Sequence, residues 1–258
     1  MCLVSIAWKV HPKYRLVIGA NRDEFHTRPS QALKWWSDKP NIIGGRDLLA
    51  GGTWLAAHRS GRFATVTNYR ELQSKKAGLK SRGELVTQFV ESKENTMCFV
   101  NKIDGDDYMG FNLLASDGDS LCYLSNRSNG TLKLGPGIYG LSNAALDTPW
   151  SKVMRCREGL KQLIEIDNVN ETEVVRLLSD RTTDSAASVK SDELPFEMAR
   201  RLTAPFIVSP EYGTRCTTVL TWTHTGKMMV CEHRFDPDGK KTGKSKFHFE
   251  TSSNQPEE

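Results

Sequence analysis

The chain has 258 residues, an apolar share of 38% and a formal net charge of +4, which is enough to bury a core and too little charge for a nucleic-acid footprint. Charged residues interrupt every apolar run before the roughly 18 consecutive apolar residues a membrane-spanning helix needs, and Lys9, His11, Lys13 and Arg15 break up the early stretch a secretory signal would require. A globular protein with no transmembrane segment, no nucleic-acid partner and a mature start at residue 1 or 2 is expected, with the basic stretches Lys75–Arg82 and Lys240–Lys246 read as solvated surface.

In chain order, Leu3–Trp8 and Tyr14–Ala20 are apolar and rich in β-branched residues, and the break between them suits a hairpin. "TWLAAHR" and "RFATVTN" form a second hairpin about the turn dipeptide Ser60-Gly61, and "GFNLLAS" and "LCYLSN" a third. "TTVLTWTH" and "MMVCEHRF" make a last one. Helices are predicted at Arg82–Ser92, at Pro149–Glu165 and at Glu171–Asp180. The second of these carries Trp150, Val153, Met154, Leu160, Leu163 and Ile164 at helical spacing. Hairpins outnumber βαβ units, so the pattern predicts an α+β fold of mostly antiparallel sheets with helices on their outer faces. No repeat or linker divides the chain. One domain over 1–248 is expected, followed by a polar, disordered tail over 249–258.

Six cysteines, Cys2, Cys98, Cys122, Cys156, Cys216 and Cys231, show no CxxC pair and no zinc-type spacing, and read as reduced thiols of a cytosolic protein with no metal site. Cys2 stands apart. Methionine aminopeptidase removes Met1 before a small residue, which would leave a thiol beside its own α-amine, and a neutral amine can serve as general base to that nucleophile. The first hairpin brings Asn21, Arg22, Asp23 and Glu24 toward the start of strand one, where an Asp can orient the amine and an Arg can favour the thiolate.

"NRDEFHTRP", "GGTWLA", "TNYRE", "RGELV", "GFNLL", "YGLSNAALDTPWSK" and "YGTRCTTVL", in that order over Met1–Phe235, resemble the transport and Golgi organisation protein 2 family, also called NRDE proteins. That resemblance implies heme trafficking or a heme-chaperone role, acyl-coenzyme A and lipid metabolism, and Golgi organisation. Its expected ligands are heme or acyl-coenzyme A. It also implies a cytoplasmic protein in transient contact with mitochondrial or Golgi membranes. A more distant similarity is to N-terminal nucleophile (Ntn) hydrolases of the penicillin V acylase type, which implies a four-layer αββα sandwich.

Gly19, Asn21 and Asp23 match the G-x-N-x-D stretch of those hydrolases, and Arg22, two residues from the position of their characteristic Arg, returns to the same strand face. The similarity implies a catalytic set of Cys2, Asp23, Asn68, Asn143 and Arg215, with Asn21, Arg22, Glu24 and Trp54 binding the ligand. No cofactor is required for an amide or thioester hydrolysis through Cys2. For heme, a transported ligand, Trp35, Trp36 and Trp54 offer aromatic area, Arg22, Arg28 and Arg46 offer cations, and His26, His58 or Cys2 offers an axial ligand. A non-enzymatic factor in membrane traffic is the third reading.

Overall fold

Alternation between two buried faces organises the first hairpin of the computed structural model, which describes residues 2–71, 78–128, 130–185 and 194–252. Strands β1 (Cys2–Trp8) and β2 (Tyr14–Phe25) pair antiparallel, with Cys2 opposite Arg22 and Trp8 opposite Leu16. Val4, Ile6, Trp8, Leu16, Ile18 and Ala20 enter the core between two sheets, whereas Leu3, Ala7 and Val17 enter the core beneath the helices. Strands covered on both sides read as continuous apolar runs, and each fully buried Leu or Ile contributes about 1.5–3 kcal/mol.

β2 does not stop at Ala20. It continues through Asn21–Glu24 because β11 (Tyr212–Thr223) pairs along its other edge and satisfies the backbone of those polar residues. The six-stranded sheet is completed by β10 (Gly137–Leu141), β12 (Lys227–Phe235) and β13 (Lys241–Glu250), in the order β10-β1-β2-β11-β12-β13. The facing sheet runs in sequence order: β3 (Ser30–Trp35), β4 (Ile42–Asp47), β5 (Leu55–His58), β6 (Phe63–Asn68), β7 (Phe111–Ser116), β8 (Leu121–Ser125) and β9 (Gly130–Leu134). Gly61, at a φ of +89°, closes the turn between β5 and β6 as its glycine predicts.

Helices form the outer layers. Leu85, Val86 and Phe89 of α1 (Arg82–Glu91), with Val100 of α2 (Thr96–Asn101), cover the seven-stranded sheet. Val153, Cys156, Leu160 and Leu163 of α3 (Ser151–Glu165), with Val174 and Leu178 of α4 (Glu171–Leu178), cover the six-stranded one. The short α5 (Phe196–Arg201) precedes β11. The architecture is thus the expected α+β sandwich with helix, sheet, sheet and helix in succession. No helix among the described residues is long and apolar enough to cross a membrane.

Three expectations need adjustment. Met154, counted in the apolar stripe of α3, lies 50% exposed because its position turns away from the sheet. The lysines of the basic stretch at 240–246 are exposed as expected, but from Lys241 on they belong to a strand, β13, whose alternation sends them outward while Phe247 and Phe249 pack on the inter-sheet core. Order also passes the expected boundary at 248: β13 ends at Glu250, and the N–H groups of Thr251 and Ser252 donate to Gly226 and Arg59 carbonyls. The rest of the expected tail, 253–258, and residues 75–77 of the other basic stretch lie outside the described residues, as does Met1.

Candidate functional site

The polar end of β2 is divided by strand alternation. Arg22 and Glu24 continue the face that carries Ala20 into the inter-sheet space, on the same side as Cys2 across the ladder, while Asn21 and Asp23 continue the face that carries Gly19 under α4. One short segment therefore serves a cleft on one side and a helix layer on the other.

Cys2, Arg22, Asp23, Glu24, Trp54 and Asn68 line one cleft of about 390 Å³ together with Arg28, Asp47, Lys80 and Arg82. Cys2 is half-buried, but its sulfur lies deep enough that burial pushes the thiol above its ordinary value, and the Asp23 carboxylate adds to that effect. Arg22 and the backbone N–H of Asp23 pull the other way. The net direction is upward, so Cys2 rests as a thiol at neutral pH and needs a base to become a nucleophile.

Asp23 is 1% exposed. Its Oδ1 accepts from the Thr214 hydroxyl at 2.7 Å and its backbone carbonyl accepts from the Tyr212 hydroxyl at 2.9 Å, so β11 fixes it at both ends. Burial raises its carboxyl above the usual range, opposed by the positive charges of Lys152 and Arg22 and by the Thr214 bond. Asp23 follows the strand partner of Cys2 along β2, which puts it beside the first peptide of β1.

Arg22 is 5% exposed, with its guanidinium 4.2 Å from the Trp54 ring centroid and Nη2 3.6 Å from the Asp47 carboxylate. Its Nη1 has no hydrogen-bond partner among the described residues. Arg28 Nε donates to Asp47 at 2.6 Å. Burial would raise Asp47, yet that bond and the N–H groups of Ala50 and Leu49 hold it below the usual carboxylate range. Glu24 lies 3.9 Å from Arg28. Arg82, the first residue of α1, donates to the Gly110 carbonyl, and burial lowers its pKa. The wall between Trp54 and Arg82 depends on a close approach of two glycines: a Cβ on Gly52 would sit 2.5 Å from the Gly83 carbonyl carbon.

Asn143 and Asn68 meet, but only one lines the cleft. Asn143 Nδ2 donates to the Asn68 carbonyl at 2.7 Å while its Oδ1 accepts from Ser142, whose hydroxyl also bonds the Cys2 carbonyl at 2.9 Å. Asn143 is thus a buried tie that holds the rim residue Asn68 and the first residue of β1 in one frame. Thr67 and Asn112 anchor the same loop through the Ser142 carbonyl.

The other expected site residues are placed elsewhere. Asn21 faces the helix layer, donating to the Leu178 and Pro205 carbonyls and accepting from Thr217, so it joins α4 to the sheet instead of meeting a ligand. Arg215 is the extra residue of a bulge between Thr214 and Cys216; it donates to the Phe25 and Arg28 carbonyls and borders a separate pocket of about 140 Å³. Of the heme candidates, Trp54, Arg22, Arg28 and Cys2 share the cleft. Trp36 is buried with its Nε1 on the Gly44 carbonyl, Trp35 packs on Phe249, and Arg46 binds Asp38. His26 bonds the Ser209 carbonyl and His58 bonds Ser60, so neither faces Cys2.

Arg82 and Lys152 carry no signal in the sequence, since nothing in their spacing marks them, yet Arg82 lines the cleft and Lys152 is 2% exposed. One further group, Glu171, Cys231 and His233, brings its carboxylate, thiol and imidazole atoms within 4.8 Å of one another. Lys244 and Lys246 already approach Glu171 at 2.6 and 2.9 Å, and burial pushes the Cys231 thiol up to about 12, so this donor set suits a paired carboxylate better than a cation.

Known proteins resemble the chain in sequence and in fold. The family profile described as "Transport and Golgi organisation 2" matches residues 1–237. A Bos taurus transport and Golgi organization protein 2 homolog is 31% identical, covering 97% of this chain and all of its own length; a Homo sapiens homolog is 33% identical over 85% of this chain and 88% of its own. Among solved structures, a mutant conjugated bile acid hydrolase from Clostridium perfringens is 8% identical, with a TM-score of 0.52 over 100% of this chain and 99% of its own. That likeness extends the shared architecture to the Ntn-hydrolase fold.

Proposed function

The chain belongs to the Transport and Golgi organisation 2 family, and from that premise we propose that it is an N-terminal-cysteine hydrolase of the Ntn type, cleaving an amide or a thioester whose acyl partner carries negative charge. The observation that carries the reading is Cys2 at the first position of β1, in register with Arg22 and followed across the ladder by buried Asp23 at the edge of a cleft. Such a thiol is protonated at rest. With Met1 removed, the α-amine of Cys2 takes the thiol proton as sulfur attacks the carbonyl carbon, and Asp23 orients that amine. The tetrahedral oxyanion is stabilised by donors at the rim, Asn68 among them. Collapse expels the amine or thiol leaving group with the proton, and water then hydrolyses the acyl-enzyme thioester to regenerate Cys2.

The cations support the choice of substrate. Arg22, Arg28, Lys80 and Arg82 outnumber the acids Asp23, Glu24 and Asp47 along the cleft, and Arg22 keeps an unused N–H. An acyl-coenzyme A thioester, with phosphates next to its acyl group, has this chemistry. A second reading, reversible heme carriage, is favoured by the same cations beside Trp54 and by Cys2 as a soft ligand lining the same cleft. We assign either activity to the cytoplasm, with transient visits to mitochondrial or Golgi membranes.

Intact mass spectrometry before and after incubation with acyl-coenzyme A thioesters and N-acyl amides tests the first reading. The expected result is loss of Met1 and an acyl adduct that vanishes in Cys2→Ala. A retained Met1, or no adduct with any acyl donor, sinks the hydrolase and makes a heme titration of wild type against Cys2→Ala the deciding measurement.

A further inference from the structure

Cations gathered on one buried face of a sheet repel one another unless a group of opposite sign lies between them. Arg22 on β2 stands opposite Cys216 on β11, Cys216 stands opposite Arg234 on β12, and Arg234 stands opposite Gly243 on β13. Residues opposite one another on neighbouring strands share a face, so two guanidinium stems enter the inter-sheet space on either side of one small thiol. Gly243 makes room for the outer one, since a Cβ there would collide with Arg234 Nη2. Over the small residue at the middle of this rung lies a cavity of about 140 Å³, with Ala32 of β3 on its other wall and Arg215 at its border.

Three guanidiniums and one carboxylate line that cavity. The carboxylate is already engaged: Glu232 is 2% exposed, and its Oε1 accepts from the Leu33 N–H at 2.9 Å and lies 3.3 Å from Arg234 Nη1. Cys216 offers no second anion, because burial pushes its thiol well above the ordinary value. Asp47, 3.6 Å from Arg22 Nη2, lines the Cys2 cleft and not this cavity. The other terminal nitrogen of Arg22, Nη1, is buried without a hydrogen-bond partner among the described residues, on a side chain only 4% exposed. A buried donor left in that state costs free energy that a bound acceptor recovers. Arg215 donates to two backbone carbonyls, which leave its charge uncancelled, and burial together with the Arg22 charge lowers its pKa.

We propose that this cavity is a binding site for a compact oxyanion, separate from the Cys2 cleft and sharing with it only the wall made by Arg22 and Trp54. Its volume is several times the roughly 30 Å³ share of one water, which suits inorganic phosphate, or the terminal phosphate or carboxylate of a larger molecule. Arg22 Nη1 donates to one oxygen of the anion from one end of the rung, and Arg234 supplies charge from the other, an arrangement that planar guanidiniums fit better than ammonium groups do. The site goes beyond the proposed hydrolysis and does not depend on what Cys2 does.

Inorganic phosphate titrated into the full-length protein at constant ionic strength, followed by calorimetry and by the arginine Nε–H signals in NMR, tests the assignment. Saturable binding is expected, with the Arg22 and Arg234 signals moving together. Arg234→Met, which removes a charge, and Ala32→Leu, which fills the cavity and keeps every charge, should each weaken it about tenfold or more, whereas Arg82→Met, on the cleft alone, should leave it within about twofold. Should Arg234→Met fail to fold because Glu232 loses its partner, Ala32→Leu and the wild-type signals decide the matter. Absence of saturable binding overturns the proposal. So does binding that is lost in Arg82→Met and kept in Ala32→Leu, which puts the anion in the Cys2 cleft. Repeating the titration in Cys2→Ala with an acyl-coenzyme A thioester present separates the two sources: displacement of phosphate from the Arg234-dependent site assigns it to the anionic end of that larger molecule, and undiminished phosphate binding assigns it to the free ion. Either result stands whether or not an acyl adduct ever forms on Cys2.

Discussion

Two carboxylates are buried against the six-stranded sheet, and they are built in opposite ways. Glu171, at the start of α4, receives His233 at 2.7 Å, Lys244 at 2.6 Å and Lys246 at 2.9 Å, so that burial, which would raise its pKa, is overcome and the group is held well below the usual range. Asp23 accepts the Thr214 hydroxyl on Oδ1, and at this carboxylate burial prevails over the positive charges around it. Around the first, every charge has a close partner; around the second, Arg22 Nη1 and Lys152 Nζ have none among the described residues. Native structures leave buried polar atoms unsatisfied rarely, and where they do the cost marks a place held for chemistry. The Glu171 cluster closes the fold, and the Asp23 cluster is where the proposed hydrolysis would take place.

Removing the nucleophile should break this contrast most sharply. Cys2→Ala should lower adduct formation or turnover by a factor on the order of 10³ or more, measured with an acyl thioester, while Glu171→Gln leaves that rate within about twofold. Stability should respond in the other direction. Glu171→Gln is expected to cost about 1–3 kcal/mol in urea unfolding, between the values of exposed and buried pairs because Lys244 and Lys246 are part-exposed.

The pH dependence sharpens the comparison through its signs. A depressed folded pKa at Glu171 supplies stability above its ordinary value of 4.5 that is lost as pH falls below it. Asp23, raised above its ordinary 3.8, makes the opposite contribution: its penalty is absent at low pH and grows as pH rises from 3.8 through the folded midpoint. The melting temperature of Glu171→Gln relative to wild type should therefore be poorest near neutrality and recover in acid. Asp23→Asn should gain on wild type as pH rises. The smallest expected effect is at Arg215, where Ala removes two bonds to the turn carrying Arg28: about 1 kcal/mol of stability, and less than about twofold in Cys2 reactivity. A large loss of reactivity there would place Arg215 back in the cleft.

Much of this organisation is legible in the sequence where burial on both faces writes it plainly. The runs that became β1, β2, β5 to β8, β11 and β12 are apolar enough to read directly, and the hairpin fold-back of β1 on β2 was sufficient to bring Cys2 to Arg22 and Asp23. β13 escaped because "KTGKSKFHFE" is an edge strand whose outward lysines mask a period of two. β4 escaped because Gly44 and Gly45 read as a break, although they are there to admit Leu55 and the Trp54 ring. Within the site, residue types were visible but their facing was not. Asn21 and Arg22 are neighbours in sequence and point to opposite layers, and a single bulge at Arg215 shifted it out of step with the cleft. Lys152 had no local signal at all, because its significance comes from what α3 rests upon.

The bond from Thr214 to Asp23 joins residues 191 positions apart. During synthesis Asp23 emerges well before β11, the strand that fixes it, which follows only after nearly two hundred more residues, roughly 10–40 seconds later at ordinary elongation rates. Until β11 docks against β2, Asp23 lacks the Tyr212 and Thr214 hydroxyls that fix it, and a chain truncated before Tyr212 would never acquire them. The order of translation thus acts as a lock: the carboxylate beside Cys2 is made early and fixed in place last.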